Sequence, residues 1–498
     1  MKYVNMIKKT MLGVAITLSI VGCSDWLKVD PVDSTLEDWV YATENNTQIA
    51  LNGIYLKMAN TPLYGQDLTN RAVEILAQRY AVPANTSSSN KLRYYMNSYA
   101  YSDQVVTNNL LEIWTEAYST ILNINYFIKK LNATEGIIPQ SRKEIMLGEA
   151  HGLRAFIHFD MLRLFGPVYV TDSTALSIPY YNEPITETQP RETANTIMDK
   201  IFTDIETSLE YLKNDPVITE GAMVYASEDS LSVSQLEINE FYRFRNRRMN
   251  YYAVSTFKAR ALLYREDKAA ALALALALLN DSKLSEHFPW VTRAQVALTN
   301  KEDRIASPEV LFGIHSPYMY SVWDNNFSPG LGSSVFTGST QTNVNYAFDV
   351  SSSGQLSTST DYRALNWANY SIDATYMTSY KFAKTTITTN NWNYQPLIRK
   401  TELYYIIAEV QNDIEYIDQV RVNRGLKKVS EAKTSVNVTT ELLLENMREF
   451  QGEGQLFFYY KRRNQKTIRS GNLTSGTSNV TMDATKYVLP IPQVEIDN

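Results

Sequence analysis

Two clusters in this 498-residue chain set aromatic rings beside amides and charges. Tyr320 and Trp323 stand next to Asp324, Asn325 and Asn326, and Arg93, Tyr94 and Tyr95 come just before Asn97. A flat aromatic face accepts the apolar C–H face of a sugar ring, while Asn, Asp and Arg bond its hydroxyls. The composition is that of a carbohydrate site. The residues expected to bind are Trp323, Tyr320, Asn325, Tyr94, Tyr95 and Arg93. Core packing is the competing explanation for each ring.

Catalytic chemistry has weaker support. Glu445, Glu449 and Glu453 are four apart and line one face if helical, and a glycoside hydrolase needs a pair of carboxylates. Such an enzyme sets its acids on opposite sides of a cleft, whereas a single-face row with Arg448 interleaved reads as a solvated, salt-bridged surface. His151 and His158 are seven apart with no His-x-x-x-His pattern or nearby carboxylate to complete a metal set, and they read as surface or core-edge histidines. The sequence has no Gly-x-Ser-x-Gly, no phosphate-cradling loop, no cysteine pair and no EF-hand-like run of acids. No catalytic residue, metal or cofactor is expected.

Cys23 is the only cysteine in the chain, so it has no intrachain disulfide partner. Lys2, Lys8 and Lys9 precede an apolar run from Met11 to Val21, and Gly22 leads into Cys23. Charged and apolar regions of this length make a secretory signal too short to span a bilayer as a mature helix. Residues 1–22 are expected to be removed as a lipoprotein signal and Cys23 to carry the lipid. A generic signal with a chance cysteine is the alternative. The Ala/Leu run from Ala269 to Leu279 is too short to cross a membrane and has charges at both ends. The protein is therefore expected to be anchored to a membrane without crossing it.

The elements that must carry these residues read mostly as helices. Leu111, Trp114, Tyr118, Ile121, Ile128 and Leu131 share one face. A capping box at Ser141-x-x-Glu144 opens the next run, through Met146, Ala150, Leu153, Ile157, Met161 and Leu164, and Gly166-Pro167 closes it. Ile197, Ile201, Ile205 and Leu209 mark a third helix within 193–212. A hairpin over 250–280 has Phe257, Ala261 and Tyr264 on one helix and Ala273 and Ala277 on the other, the large and small positions of a tetratricopeptide repeat. A second hairpin runs from Leu403 to Gly425.

Between about 287 and 398 periodicity fades into Ser, Thr, Asn and Gly, which predicts long loops and short strands. Four of the seven tryptophans, Trp290, Trp323, Trp367 and Trp392, fall there and argue against disorder. An aromatic, loop-like stretch also covers 61–101. The expected fold is mainly α, a tetratricopeptide-like helical-repeat scaffold with a loop-rich, irregular ligand-binding subdomain. The divisions are 1–22, 23–285, and 286–498 with repeat helices at 400–425. A net charge of −6 without a dominant basic cluster excludes nucleic acid as the expected partner. Tyrosine, with 34 copies against 17 phenylalanines, suits surfaces that bind and remain wet.

These residues carry a resemblance. Leu153-Arg154-Ala155-Phe156 followed by Arg163-Leu164-Phe165-Gly166-Pro167-Val168 resembles the signature helix of the SusD/RagB lipoproteins of Bacteroidetes. Arg399-x-x-Glu402-Leu403-Tyr404 with Ala408-Glu409 is similar to their C-terminal repeat helix. Val420-Arg421-x-Asn423-Arg424-Gly425-Leu426, Met447-Arg448-Glu449-Phe450 with Glu453-Gly454, and Leu489-Pro490-Ile491-Pro492 with Glu495 and Asn498 follow in the family's order. Gln455 replaces a usual basic residue, and Phe457-Phe458-Tyr459-Tyr460 replaces an Asp-Leu-Arg-Trp ending.

The resemblance implies a surface-exposed outer-membrane lipoprotein that caps a TonB-dependent transporter of the SusC type. It would capture an oligosaccharide or polysaccharide without catalysis, with ligand contacts on irregular loops. A peptide-binding member of the same family, a glycoside hydrolase and a purely scaffolding repeat lipoprotein are the alternatives.

Overall fold

The structure is a computed structural model that describes residues 40–82, 90–222, 240–297, 303–333, 335–350, 356, 359–384 and 393–493. The leader 1–22, Cys23, Trp392, Glu495 and Asn498 lie outside the described residues. The elements that frame the site are α1 (Glu44–Met58), α2 (Lys91–Asn97), α3 (Gln104–Ala133), α4 (Gln140–Phe165), α5 (Ala194–Tyr211), α6 (Tyr251–Tyr264) and α7 (Lys268–Asn280). After them come β1 (Val310–His315), α8 (Met319–Asn326), β2 (Ser339–Thr340), β3 (Trp367–Asn369), β4 (Tyr376–Ser379) and β5 (Tyr394–Arg399). The chain continues with α9 (Thr401–Gln411), α10 (Ile414–Asn423), α11 (Val438–Glu449) and α12 (Leu456–Arg462).

The long helices pack in sequence: α1 on α3, α3 on α4, α4 on α5, α5 on α6, α6 on α7, α7 on α9 and α9 on α10. This is the neighbour-on-neighbour order of a helical repeat scaffold. Local chemistry starts each helix. Asp103 accepts from the Val105 amide at the head of α3, and Asn250 from the Ala253 amide at the head of α6. Helix α4 begins differently from the expected capping box. Pro139 is its N-cap and accepts from the Arg142 and Lys143 amides, so Ser141 already lies inside the first turn and caps nothing. The extended backbone of Pro139 starts the helix two residues earlier.

The α6–α7 hairpin forms as expected, with Phe257, Ala261 and Tyr264 buried. On α7 the inward positions are Ala271, Ala275 and Leu278, whereas Ala273 and Ala277 face solvent. In a run alternating Ala and Leu, the small residues fall on both faces of a 3.6-residue helix, and the packing against α6 and α9 selects one.

Strands β1 and β5 pair antiparallel, from Val310 opposite Arg399 to His315 opposite Tyr394. Chain leaving β1 therefore returns to the same place. The excursion holds the three-stranded sheet β2-β4-β3 and helix α8. Short strands were expected here, but α8 was not.

Buried ion pairs mount this excursion on the helices. Arg363 bonds Asp361, Glu445 and Glu449 at 2.8, 2.8 and 2.9 Å. Arg424 forks onto Glu309 and Glu449, Arg399 onto Glu453, and Lys381 donates to Glu453. The expected solvated face of Glu445, Glu449 and Glu453 is thus corrected: all three are buried and held by cations from distant parts of the chain. Many charged residues that carry the family resemblance do this structural work. Arg154 clamps Asp204, Arg260 forks onto Glu402, and Gly454 adopts φ +71° where a Cβ would meet the Leu68 carbonyl at 2.3 Å.

Candidate functional site

The two aromatic clusters named from the sequence are tied to each other. Arg93 on α2 donates to the Phe336 carbonyl at 2.8 Å and to the Thr337 hydroxyl. The Thr337 amide donates to the Asn326 carbonyl at the end of α8, 2.6 Å away. Nearby, the Ala81 amide donates to Gly338 and the Ser339 hydroxyl to the Arg79 carbonyl. The aromatic stretch 61–101 and the loop-rich excursion therefore share one seam.

Not every nominated residue is free to bind. Arg93 is buried in these bonds, and burial lowers its pKa to about 10, so it is a tether. Trp323 is also corrected. It is only 8 % exposed, its indole N–H donates to the Ser379 carbonyl at 2.8 Å, and its ring lies 5.2 Å from Tyr380. Helix α8 explains this. Met319 and Trp323 are four apart and form its inward face, while Ser321, Asp324 and Asn325 point outward and Tyr318, just before it, is 65 % exposed. Asn325 is therefore available.

Tyr320 is half-buried, with the Lys384 ammonium 5.5 Å from its ring centre. Tyr94 and Tyr95 form an edge-to-face pair 5.2 Å apart, each leaving part of its ring uncovered.

Trp367 on β3, named from the sequence only as one of four tryptophans in the loop-rich stretch and not as a binding residue, is a further partly uncovered ring. It is half-buried and borders three small cavities of about 10, 20 and 30 Å³. Asn70 lines the second, and both polar atoms of its buried amide lack a hydrogen-bond partner among the described residues. Arg304 and Asn366 line the third, with Arg304 Nε and Asn366 Oδ1 also unpartnered. Buried polar atoms are seldom left this way, and cavities of this size have room for a bridging water. The sequence signal was the pair of amides, Asn366 and Asn369, around Trp367.

The acid–base candidates are engaged elsewhere. Burial pushes the Glu445 carboxyl up, but Arg363 and Arg448 outweigh it and hold it down at about 2. His158 is fully buried, not at the core edge. It stacks on Tyr180 at 3.9 Å, accepts from the Tyr181 amide, and burial lowers its pKa to about 3. His151 bonds Asp204 at 3.0 Å. Among the described residues no group of three or more His, Cys, Asp or Glu is placed to hold a metal ion, and no helix is long and apolar enough to cross a membrane.

Comparison with known proteins gives likenesses to one family. Residues 25–224 match a SusD-like family described as "Starch-binding associating with outer membrane". A SusD-like protein of Formosa agariphila is 23 % identical over 224 residues, 45 % of this chain and 40 % of that protein. A SusD-like protein of Bacteroides ovatus is 26 % identical over 170 residues, 33 % of this chain and 29 % of that protein. The chain thus matches less than half the length of these curated relatives.

Solved structures match far more of it. A SusD superfamily protein from Bacteroides thetaiotaomicron superposes with TM-score 0.68 at 20 % identity, covering 91 % of this chain and 98 % of that one. A SusD-like carbohydrate binding protein from Bacteroides vulgatus gives 0.65 at 18 %, covering 91 % and 96 %. Surface glycan-binding protein A from Bacteroides fluxus gives 0.64 at 18 %, covering 92 % and 97 %. The fold is the one these solved structures have, mainly α with few strands and tetratricopeptide-like.

Proposed function

We propose, for a chain that carries a SusD-like domain on the SusD superfamily fold, that it captures an oligosaccharide or polysaccharide at the cell surface without transforming it. It is held in the outer membrane by lipid on Cys23 and passes its ligand to a TonB-dependent transporter of the SusC type. The observation that carries this reading is the placement of Tyr94, Tyr95, Tyr320 and Trp367. They are partly uncovered rings on α2, α8 and β3: Arg93, Thr337 and Asn326 join α2 to the end of α8, and Trp367 lines a small cavity with Thr337 and Gly338. The hydrolase alternative loses its candidate acids, because Glu445, Glu449 and Glu453 are buried in ion pairs.

The test is calorimetry of the mature protein against a panel of oligosaccharides and peptides, with melting temperatures alongside. Tyr320→Ala combined with Tyr94→Ala is expected to weaken glycan binding about tenfold, the equivalent of 1.4 kcal/mol, with little change in melting. Trp323→Ala is expected to cost about 3–5 kcal/mol of stability, as for a core tryptophan. Peptide binding with no glycan binding would move the chain to the peptide alternative. Release of reducing ends by purified protein would overturn the non-catalytic reading. A mild-detergent pull-down from native membranes is expected to recover a large barrel protein, and recovery of this chain alone counts against the transporter.

A further inference from the structure

Residues 243–248 read Arg-Phe-Arg-Asn-Arg-Arg, and the fold uses these arginines in two ways. Arg245 and Arg248 are buried and paired, Arg245 with Glu149 and Asp215 and Arg248 with Glu149. Arg243 and Arg247 are half-buried and have no ion-pair partner among the described residues. Their guanidinium carbons lie 5.8 and 5.0 Å from the centre of one ring, Phe244. Arg243 Nε is buried without a hydrogen bond, whereas the Nη groups of both residues reach accessible surface and make none either. Burial lowers the Arg247 pKa, and no carboxylate stands near enough to raise it.

The backbone holds this arrangement at a cost. Phe244 takes φ +55° and ψ +49°, the left-handed region that a bulky side chain rarely enters. Such strain persists where the surroundings fix it, and it gathers at functional sites. The Tyr394 hydroxyl donates to the Asn246 carbonyl at 2.6 Å, and its ring lies 5.7 Å from the Arg247 guanidinium. Opposite Tyr394 in the β1–β5 ladder stands His315, which reaches solvent at the end of β1. Burial, and then the Arg247 charge, lower the His315 pKa, so a neutral imidazole with one N–H to donate lies in the field of that guanidinium.

This basic patch adjoins the rings of the glycan surface. Tyr318, 65 % exposed, follows His315 by three residues, a span of at most about 11 Å, and leads into α8 with Tyr320 and Asn325. A chain of sugars lying on Tyr318 and α8 therefore runs toward two cations that lack a counter-ion among the described residues. Guanidinium groups meet carboxylates and sulfate esters with charge-assisted hydrogen bonds, and sugars carry both.

We propose that the captured glycan is acidic, its carboxylate or sulfate groups pairing with Arg243 and Arg247 while its rings lie along Tyr318 and α8. The proposal rests on the glycan-capture reading above and names the class of glycan.

Calorimetry of the mature protein compares three probes of equal length. Hexagalacturonate carries the carboxylate, a κ-carrageenan hexasaccharide carries the sulfate ester, and maltohexaose is the neutral chain. At least one acidic hexamer is expected to bind about tenfold more tightly than maltohexaose, the scale of two part-buried ion pairs. Which of the two does so identifies the anion. Arg243→Gln with Arg247→Gln is expected to erase that preference and to melt no lower than wild type, because no ion pair is lost. Raising salt from about 0.05 to 0.5 M is expected to weaken acidic binding by wild type and to leave neutral binding unchanged, a readout independent of any variant's folding. Maltohexaose bound as tightly as both acidic hexamers, acidic binding indifferent to salt, or a preference that survives the double variant overturns the acidic class and leaves glycan capture standing. Binding of neither acidic hexamer overturns it as well, and glycan capture falls with it only where the wider oligosaccharide panel is silent too.

Discussion

Glu445 is buried and takes hydrogen bonds from Arg363 at 2.8 Å, Arg448 at 2.7 Å and the Tyr405 hydroxyl at 3.0 Å. Removing its charge takes one carboxylate from two buried guanidinium groups, leaving Arg363 with Asp361 and Glu449 and Arg448 with Asp349. Glu445→Gln is therefore expected to cost about 3–5 kcal/mol at pH 7, the usual penalty for breaking a buried pair. The pH dependence has a definite sign. The folded carboxyl titrates at about 2, below its ordinary 4.5, so the stability it contributes is complete above 4.5 and is lost as pH falls toward 2. Denaturant titrations should show the gap between wild type and Glu445→Gln close across that window. A gap that stays constant down to pH 2 would mean the pair is not what the charge supports. The four-residue spacing of Glu445, Glu449 and Glu453 was legible, but their burial was not. Apart from Arg448, three residues from Glu445, the cations hydrogen-bonded to them come from 25 to 86 residues away, and no local pattern records which face of α11 they will meet.

At the scale of elements, the repeat hairpins were readable because a 3.6-residue period and its caps are local. Helix α7 marks the limit of that reading. Its alternating Ala and Leu residues leave no single apolar stripe, and the buried positions are Ala271, Ala275 and Leu278. A leucine at a close-packed position forces neighbours aside, so Ala275→Leu is expected to destabilise by about 1–3 kcal/mol. Ala273→Leu, on the solvent face, is expected to stay within about 0.5 kcal/mol of wild type. Thermal or denaturant unfolding of the pair checks the assignment, and the reverse ranking would place α7 the other way round. Helix α8 teaches the same lesson. Met319 and Trp323 were already four apart, but in a stretch with so few apolar residues the spacing was too sparse to read as a helix.

For the whole molecule, the proposed membrane anchor is Cys23, which lies outside the described residues. Cys23→Ala is expected to leave the melting temperature unchanged and to move the protein from the membrane to the soluble fraction. Fractionation and intact mass check this, and a variant still in the membrane, with no acyl mass on the wild type, would sink the anchor. By itself the sequence determined the long helices α3 to α7, α9 and α10, their hairpin pairing and the position of the irregular excursion, because turn chemistry and periodicity act between near neighbours. The tertiary structure alone decided which rings remain uncovered and which charges are buried. It turned Trp323 inward, used Arg93 as a tether, and left Tyr320 and Trp367 partly open. Burial depends on what distant segments bring against a residue, and that information exists only once the chain has folded.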